Sequence, residues 1–353
     1  MISMNQKRII GSLLGTALGD AIGLPYEGLS RRRGARMLGK PDRHRLLFGR
    51  GMISDDTEHA CMTAQALLAS GGDVDLFRTQ LARRLRYWLL AMPAGVGFAT
   101  ARSILRLWIG FDPRRSGVFS AGNGAAMRAP IIGVAIDDLD TVCKLVRAST
   151  RITHSDKKAE FGALTAAIAA HMASRQEFVV ADEFLANIKM LLADDGEEFL
   201  ALIGSVVNSV NQKQNTQAFA ASIGLENGVS GYTYHTIPVA IHAWLTNQHD
   251  FRAAIISIVE CGGDTDSTAA IVGGIIGAAV GKEGLPADWL RGLFDWPRSI
   301  SWMEQLGFAL GSNQEINSQK VSVELPLLAT FPRNLFFLGV VLFHGFRRLL
   351  PPY

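Results

Sequence analysis

The sequence predicts an all-α fold, and three of its features indicate this class. Apolar residues recur every three or four positions along most of the chain, whereas the alternation typical of half-buried strands is scarce. Hydrophobic residues make up 48% of the 353 residues and charged residues 19%, which allows one sizeable core. Short stretches of Gly, Pro, Asp and Asn separate the periodic segments and predict loops between helices.

Each periodic segment predicts one helix, and no internal repeat has the spacing of a solenoid. In chain order the predicted helices are 9–22, 58–68, 76–89, 100–108, 139–151, 158–172, 181–192, 199–210, 236–245, 251–259 and 267–280. The loops predicted between them include 23–28, 69–75, 92–97, 116–124 and 282–286. We predict one domain over residues 1–310, followed by a tail over residues 311–353.

The formal net charge is +3, and most basic residues are scattered along the chain. This pattern lacks the dense basic stripe of a nucleic-acid-binding protein, so no nucleic-acid partner is expected. The run Arg31-Arg32-Arg33 predicts a solvated loop; the alternative is a rim that attracts a phosphate-bearing substrate. Three widely spaced cysteines without a Cys-x-x-Cys pair argue against a disulfide framework and zinc, and favour the reducing cytoplasm.

No stretch of the sequence offers the long apolar run of a membrane-spanning helix, so membrane association is not expected. The tail from about residue 325 is apolar and includes 336–343. It predicts a helix that docks on the domain or on a second subunit. The alternative is a membrane-surface anchor helped by Arg347 and Arg348.

Two acidic clusters each combine two carboxylates with flanking hydroxyls: Ser54-Asp55-Asp56-Thr57 and Asp264-Thr265-Asp266-Ser267. Each precedes a predicted helix, where one side-chain oxygen would suffice to cap the free amides. The second carboxylate of each cluster therefore exceeds what capping needs. Because the helix after the second cluster is apolar almost all round, we expect it to be buried, with its carboxylates at a pocket floor. Four carboxylates in one pocket would suit magnesium or manganese ions.

The chain resembles the ADP-ribosylglycohydrolases, the family of dinitrogenase-reductase-activating glycohydrolase, over residues 9 to about 290. The matching segments follow the family's order: the glycine-spaced opening 11–27, the first acidic cluster 54–57, the Gly-Asn-Gly segment 122–130, the Thr-His-Ser segment 153–155, and the second acidic cluster within 262–267. This resemblance implies a compact orthogonal multi-helix fold with a centre of two Mg²⁺ or Mn²⁺ ions.

The resemblance also implies roles for individual residues. The metal ligands would be Ser54, Asp55, Asp56, Asp264, Asp266 and Ser267. Glu27 would reach the metals or the scissile bond, and Glu27 or Asp55 would act as the general base.

The resemblance also implies that a set of glycine-containing loops binds the ADP-ribose. Gly95 and Gly97 would line the phosphates, although Met92, Pro93 and Ala94 stand where many relatives carry an acid, so this loop is not expected to supply a catalytic acid. The remaining substrate-binding residues would be Ser120, Gly122, Asn123, Gly124, His154, Asn227, Gly228 and Val229. Tyr232, Tyr234 and His235 would stack on adenine or simply pack.

The implied reaction is hydrolysis of the N-glycosidic bond that joins ADP-ribose to an arginine of a modified protein. Two alternatives stay open at this point. One is hydrolysis of O-linked ADP-ribose on serine or in O-acetyl-ADP-ribose, and the other is a non-catalytic ADP-ribose-binding or immunity protein. The sequence leaves the oligomeric state open.

Overall fold

Helices form nearly all of the regular structure in residues 2–192, 196–312 and 323–349, the part of the chain that this computed structural model describes. The α-helices are α1 (Met4–Gly23), α2 (Arg31–Leu38), α3 (Asp55–Ser70), α4 (Val74–Leu90), α5 (Phe98–Trp108), α6 (Pro130–Ala135), α7 (Leu139–Thr153), α8 (Lys157–Arg175), α9 (Ala181–Leu192), α10 (Glu197–Asn211), α11 (Thr216–Ser222), α12 (Thr233–Thr246), α13 (Phe251–Val259), α14 (Thr265–Val280), α15 (Ala287–Gly292), α16 (Ile300–Gly311) and α17 (Leu327–Arg347). The strands β1 (Leu29–Ser30) and β2 (Gly262–Gly263) form one short antiparallel pair.

The predicted all-α class is confirmed, and each of the eleven segments predicted as helices lies inside an observed helix. Helices α2, α6, α11 and α15 were missed because, with six to eight residues each, they are too short for a periodic pattern. The 12-residue α16 was also not predicted. The prediction of a loop at Arg31–Arg33 is wrong, since these residues form the first turn of α2. The Ser30 hydroxyl caps that turn by accepting from the Arg33 amide.

Helices α1 and α14 cross antiparallel at the centre of the molecule, with their backbones in direct contact. A Cβ atom on Gly15 would lie 2.1 Å from the carbonyl oxygen of Gly273, and one on Gly19 would lie 2.0 Å from that of Ala269. Only glycine fits at these positions without separating the helices. The antiparallel crossing brings the C-terminal end of α1 beside the N-terminal end of α14, where the second acidic cluster begins.

Other helices surround this pair and enclose one large hydrophobic core. Helix α3 lies against α1 and α4, while α6, α8, α12 and α13 pack around α14. Almost every residue of α14 is buried, as expected from its apolar sequence. The structure thus holds the start of α14 rigidly in the interior, which fixes the position of the acidic residues there.

Two helical stretches, Met4–Tyr26 and Leu328–Arg347, are long and apolar enough to cross a membrane by length and composition. The expectation that no segment has such a run is therefore wrong. The most apolar 18-residue window of the first stretch is entirely buried, and this stretch is the core helix of the domain, which by itself explains its apolar character. The second is only a third buried, because α17 lies against the domain with one face.

The glycine contact between α1 and α14 predicts a large stability effect at Gly15. Alanine there should lower the free energy of unfolding by about 3 kcal/mol or more, because its methyl group would overlap the α14 backbone. Gly204→Ala is the matched control: it lies inside α10, where a Cβ meets nothing within 4 Å. The control should gain about 0.5–1 kcal/mol from helix propensity. Urea denaturation measures both, and equal effects would contradict the proposed contact.

Candidate metal centre and active site

The first acidic cluster forms the N-terminal end of α3, and the cap there uses a hydroxyl. Ser54 Oγ accepts a hydrogen bond from the Asp56 amide at 3.3 Å. The second cluster starts with Asp264 directly before α14, where no side chain makes a capping hydrogen bond. Capping therefore does not account for the carboxylates of either cluster, which decides against the simple capping interpretation.

The two acidic clusters are in direct contact, although more than 200 residues separate them. Asp56 Oδ2 accepts hydrogen bonds from Ser54 Oγ at 3.1 Å and from Ser267 Oγ at 3.2 Å. Asp264 Oδ2 accepts from Asn123 Nδ2 at 2.6 Å, which attaches the Gly-Asn-Gly segment to the same place. The structure thus brings together both predicted ligand clusters and one predicted substrate-binding residue.

Mutual repulsion and burial make these carboxylates hard to ionise in the absence of a cation. Burial, and then the charges of neighbouring carboxylates, hold the pKa values of Asp55, Asp56 and Asp266 well above their usual range. The pKa of Asp264 is also raised by burial, although its hydrogen bond from Asn123 opposes the rise. Such a site gains most from a bound cation, because a positive charge offsets both penalties.

Asp20, on the last turns of α1, is a member of this cluster that the sequence analysis missed. Its Oδ2 accepts from the Ser54 amide at 2.8 Å, the Thr57 amide at 3.2 Å and Thr57 Oγ1 at 2.5 Å. Burial raises the pKa of Asp20 to about 6. The signal in the sequence that could have identified Asp20 is a lone carboxylate inside an otherwise apolar helix. Asp20 orients the start of α3 and adds a negative charge beneath the clusters.

Glu27 stands at the exposed edge of the same group. The chain turns through a 3-10 helix over Leu24–Tyr26, and the Gly28 amide then donates to the Gly263 carbonyl at 2.7 Å. The β1–β2 pair follows directly, so the Glu27 turn is attached to the second acidic cluster. Partial burial of the Glu27 carboxylate raises its pKa, and the negative charge of Asp264 raises it further. The positive charge of Arg348 opposes this rise.

The donor set fits divalent cations. Among the described residues, three carboxylate oxygens of this cluster are buried without a hydrogen-bond donor: Asp20 Oδ1, Asp56 Oδ1 and Asp266 Oδ1. Buried oxygens of this kind need a cation or a proton. No three His, Cys, Asp or Glu side chains in those same residues already enclose a metal position, so the predicted two-ion geometry stays a prediction. The residues that would hold the ions are those predicted from the sequence, all oxygen donors suited to Mg²⁺ or Mn²⁺.

The glycine segment before α5 borders the first acidic cluster. Gly95 has a φ of +80°, which favours glycine, and a Cβ there would lie 3.5 Å from Asp55 Oδ1. Gly97 follows at the N-cap of α5 with open space around it. Backbone amides can therefore approach a ligand next to Asp55 without obstruction, as expected for phosphate-lining glycines.

The segment from Ser120 to Gly124 lies over His154. A Cβ on Gly122 would lie 3.4 Å from both Ser120 Oγ and His154 Nε2, and one on Gly124 would lie 3.2 Å from His154 Cε1. The His154 ring is buried, and Nδ1 hydrogen-bonds with Thr153 Oγ1 at 2.8 Å. Burial and the nearby Arg128 lower the pKa of His154 to about 3, so the ring is neutral. It can offer a hydrogen bond to a ligand but no charge.

Arg128 holds these two segments together from inside the core. Its guanidinium donates to the Gly124 carbonyl at 2.8 Å, to Thr153 Oγ1 at 2.7 Å and to the Ser149 carbonyl at 2.9 Å. Burial lowers the pKa of Arg128 to about 9. Arg128, which is fully buried, therefore positions the two segments that are predicted to bind substrate without being exposed itself.

The loop 227–229 is joined to the second acidic cluster by backbone hydrogen bonds. The Val229 amide donates to the Gly262 carbonyl at 2.9 Å, and the Asp264 amide donates to the Val229 carbonyl at 2.7 Å. Gly228 has a φ of +138°, and a Cβ there would lie 2.9 Å from the Gly263 nitrogen. This close approach requires glycine and places Asn227 at the edge of the site.

The three aromatic residues after this loop separate into two groups. Tyr234 is buried, with its ring centroid 4.8 Å from that of Phe199, so it packs in the core. Tyr232 and His235 are half-buried, with ring centroids 5.0 Å apart. Of these three aromatic side chains, only those of Tyr232 and His235 are accessible to an adenine ring.

A buried ion-pair network lies behind the first acidic cluster. Glu58 Oε1 accepts from Arg298 Nη1 at 2.6 Å and from Arg333 Nη1 at 3.4 Å, and Glu58 Oε2 accepts from Trp88 Nε1 at 2.5 Å. Arg333 also donates to both carboxylate oxygens of Asp295. Nothing in the sequence pattern predicts this network, because its members come from four distant parts of the chain.

Helix α17 reaches two further segments of the site. Asn334 Nδ2 donates to the Ala91 carbonyl at 2.9 Å, next to the glycine segment. At the other end, Arg348 Nη2 donates to the Pro25 carbonyl at 2.9 Å and Nη1 to the Glu27 carbonyl at 2.5 Å. The C-terminal helix therefore braces the Glu27 turn and one side of the site.

Comparisons with known proteins show what this chain is similar to. The model of the family described as ADP-ribosylglycohydrolase matches residues 2–318. An uncharacterized protein of Archaeoglobus fulgidus is 30% identical over 299 residues, covering 82% of this chain and 92% of that protein. The ADP-ribosyl-[dinitrogen reductase] glycohydrolase of Rhodospirillum rubrum is 27% identical over 297 residues, with coverages of 81% and 90%.

A third relative, ADP-ribosylhydrolase ARH3 of Xenopus tropicalis, is 26% identical over 343 residues, covering 87% of this chain and 96% of that protein. A solved structure described as an ADP-ribosylglycohydrolase-related protein complex superimposes with a TM-score of 0.66 at 25% identity. It covers 88% of this chain and 99% of the solved chain. Helix α17 begins after residue 318 and so lies beyond the family match.

The buried network predicts that Arg333→Leu lowers the free energy of unfolding by about 3–5 kcal/mol, because it leaves the Asp295 carboxylate buried without its partner. The double variant Arg333→Leu/Asp295→Asn should be more stable than the single variant. Lys144→Leu, which breaks an exposed pair with Asp140, is the control and should cost less than about 1 kcal/mol. Urea denaturation would contradict the network if the single and double variants were equally stable.

The raised pKa of Asp20 predicts how stability depends on pH in chelator-treated protein. Between its ordinary value of 3.8 and about 6, the folded state binds more protons at Asp20 than the unfolded state. The contribution of Asp20 to stability is therefore present at low pH and is lost as pH rises through this window. Asp20→Asn keeps one oxygen acceptor and should remove this loss. Thermal melts of both proteins in chelator test it; parallel pH curves would refute the assignment.

Proposed function

Because the chain belongs to the ADP-ribosylglycohydrolase family, we propose that it removes ADP-ribose from arginine side chains of modified proteins by hydrolysis. The family supports hydrolysis of an ADP-ribose linkage; the arginine linkage is the proposal. The observation that carries it is the convergence of six carboxylates at one end of the α1–α14 pair, beside glycine-rich segments. These carboxylates are Asp20, Glu27, Asp55, Asp56, Asp264 and Asp266.

The charge of this cluster favours a cationic group on the substrate. When ionised, six carboxylates carry more negative charge than two divalent cations neutralise. Arg348 is one guanidinium whose charge acts on Glu27 and Asp266. A guanidinium attached to the ribose would meet a favourable field at this site. A neutral serine or acetyl ester would gain nothing from the same field. This difference supports arginine over an O-linked substrate.

The residues that would hold the cations are Ser54, Asp55, Asp56, Asp264, Asp266 and Ser267. When bound, divalent cations supply a means of orienting ribose hydroxyls and of lowering the pKa of a water molecule. The protein's own contribution is to hold the substrate. Gly95 and Gly97 leave backbone amides open to the phosphates, and neutral His154, below Gly122 and Gly124, offers a hydrogen bond without charge.

Proton transfer would fall to Asp55, which is half-buried, or to Glu27, which is exposed. A water oxygen forms a bond to the anomeric carbon of the ribose, and the carboxylate takes the proton that this water loses. The bond between the anomeric carbon and the guanidine nitrogen breaks, and its electron pair stays with that nitrogen. The departing guanidine then takes up a proton and becomes a guanidinium. The products are ADP-ribose and unmodified arginine.

Hydrolysis of O-linked ADP-ribose is the second candidate. The relatives named ADP-ribosylhydrolase ARH3 and the relative named ADP-ribosyl-[dinitrogen reductase] glycohydrolase are nearly equally similar to this chain, at 26% and 27% identity. Overall similarity therefore favours neither linkage. A non-catalytic ADP-ribose-binding protein is less consistent with the site, because binding alone does not require so many buried carboxylates.

Release of ADP-ribose from two substrates separates these candidates. The purified full chain is incubated with an ADP-ribosyl-arginine protein and with an ADP-ribosyl-serine peptide, each with Mg²⁺, with Mn²⁺ and with chelator. We expect metal-dependent release from the arginine substrate. Release from the serine peptide alone would overturn the linkage, and no release from either substrate would overturn the hydrolase.

Asp266→Asn distinguishes a metal ligand from a structural residue. Activity should fall at least about 100-fold, because the site loses a cation ligand. The metal-free variant should nevertheless be at least as stable as the parent, since a buried carboxylate of raised pKa has been removed. Asp140→Asn, at an exposed position on α7, is the control and should change neither quantity. Full activity of Asp266→Asn with metal present would contradict the proposed centre.

A further inference from the structure

Helix α17 leaves a stripe of large apolar side chains facing away from the domain. Its inner face carries the buried residues Arg333, Phe337 and Val340. On the outer face, exposed apolar residues recur at intervals of three, four and seven positions. They extend from Leu328 (89% exposed) to Phe343 (73%) and Phe346 (67%). The members of this outer stripe are Leu328, Phe331, Leu335, Phe336, Leu342, Phe343, Phe346 and, just after the helix, Leu349.

Aromatic residues from a neighbouring loop extend the outer stripe sideways. The ring centroids of Phe336 and Trp296 are 5.4 Å apart, and those of Trp296 and Phe294 are 5.8 Å apart. All three side chains are partly exposed. Single exposed apolar residues are common on soluble proteins, but a continuous stripe along a helix of 21 residues marks an interaction surface.

The charges around the outer stripe are positive. Residues 325–353 contain no Asp or Glu. Arg347 lies at the C-terminal end of α17, and Arg33 Nη2 donates to the Arg348 carbonyl at 2.6 Å, which holds α2 beside this end. Arg31 and Arg32, in the first turn of α2, are exposed there. Apolar residues on one face with arginines at their edge are typical of helices that lie on anionic membranes.

We propose that the outer stripe of α17, with Arg31, Arg32 and Arg347, binds the surface of a membrane that contains anionic lipids. The helix would lie in the plane of the headgroups, with its phenylalanines in the boundary to the acyl chains. Parallel pairing with a second copy of the chain fits this surface less well, because it would bring two arginine clusters together.

A membrane-spanning orientation does not fit the same helix. Arg333, Asn334 and His344 on its inner face are buried and hydrogen-bonded to the domain, so α17 cannot leave it without exposing these groups. The sequence alone favoured docking of the tail over membrane binding. Within the described residues, α17 is docked by one face and its other face is exposed. The outer stripe of α17 lies beyond the family match over residues 2–318, and the proposal does not depend on the proposed reaction.

Vesicle flotation of the full-length protein tests the proposal. One set of vesicles contains phosphatidylcholine alone, and the other contains about one third phosphatidylserine. We expect binding to the anionic vesicles and little to the neutral ones, with binding that weakens as salt rises. Equal binding to both sets, or to neither, would overturn the proposal.

Matched variants show whether α17 provides the surface. Phe343→Glu/Phe346→Glu should abolish flotation, whereas Phe178→Glu, at a 63% exposed phenylalanine between α8 and α9, should keep it. Arg347→Gln should weaken binding to anionic vesicles about fivefold. Lys213→Gln, at the end of α10, is its charge-matched control and should leave binding unchanged.

Folding and self-association are measured on the same variants. Circular dichroism and thermal melts should be unchanged in Phe343→Glu/Phe346→Glu, because both side chains are already exposed. Unchanged flotation of this folded variant would overturn the assignment to α17. A dimer of the parent in sedimentation equilibrium that the variant loses, without vesicle binding by either protein, would assign the stripe to a second copy instead.

Discussion

The backbone contact between α1 and α14 is the constraint on which the rest of the site depends. Glycines at the crossing let two helices from opposite ends of the chain approach more closely than any side chain would allow. Because the helices run antiparallel, Asp20 at the end of α1 meets the start of α14. Helix α3 then joins them, since Asp20 accepts hydrogen bonds from its first residues. A small change in helix separation would move every carboxylate of the cluster.

Packing of this kind places negative charge where water cannot solvate it. Burial raises the pKa values of the carboxylates, and each carboxylate raises those of its neighbours. Nearby, the protein uses the opposite arrangement: Glu58 and Asp295 are just as buried, but arginines neutralise them. The contrast separates the two groups by role. Carboxylates with arginine partners serve the fold, and those without a partner remain available to cations and substrate.

The sequence was sufficient for the helices and for the acidic clusters, because both are local patterns. Periodicity identifies most of the long helices, although the 12-residue α16 was not predicted, and the excess carboxylate beside Asp55 or Asp264 stands out in a short window. Asp20 and Arg128 escaped notice, because their roles come from contacts with residues far away in the chain. The Arg333 network was missed for the same reason. Short polar helices such as α2 lack enough residues to show a period, so tertiary packing decides their structure.

The hydrogen bonds of Arg348 also bear on when the site is assembled during synthesis. Glu27 and the guanidinium that braces its turn are separated by 321 residues along the chain. Contacts over so many residues form late, after the intervening segments have collapsed. Until Arg348 has been synthesised, a growing chain carries both acidic clusters but lacks this brace. The docking of α17 therefore completes the Glu27 turn, and the carboxylate cluster is fully organised only after this helix has packed against the domain.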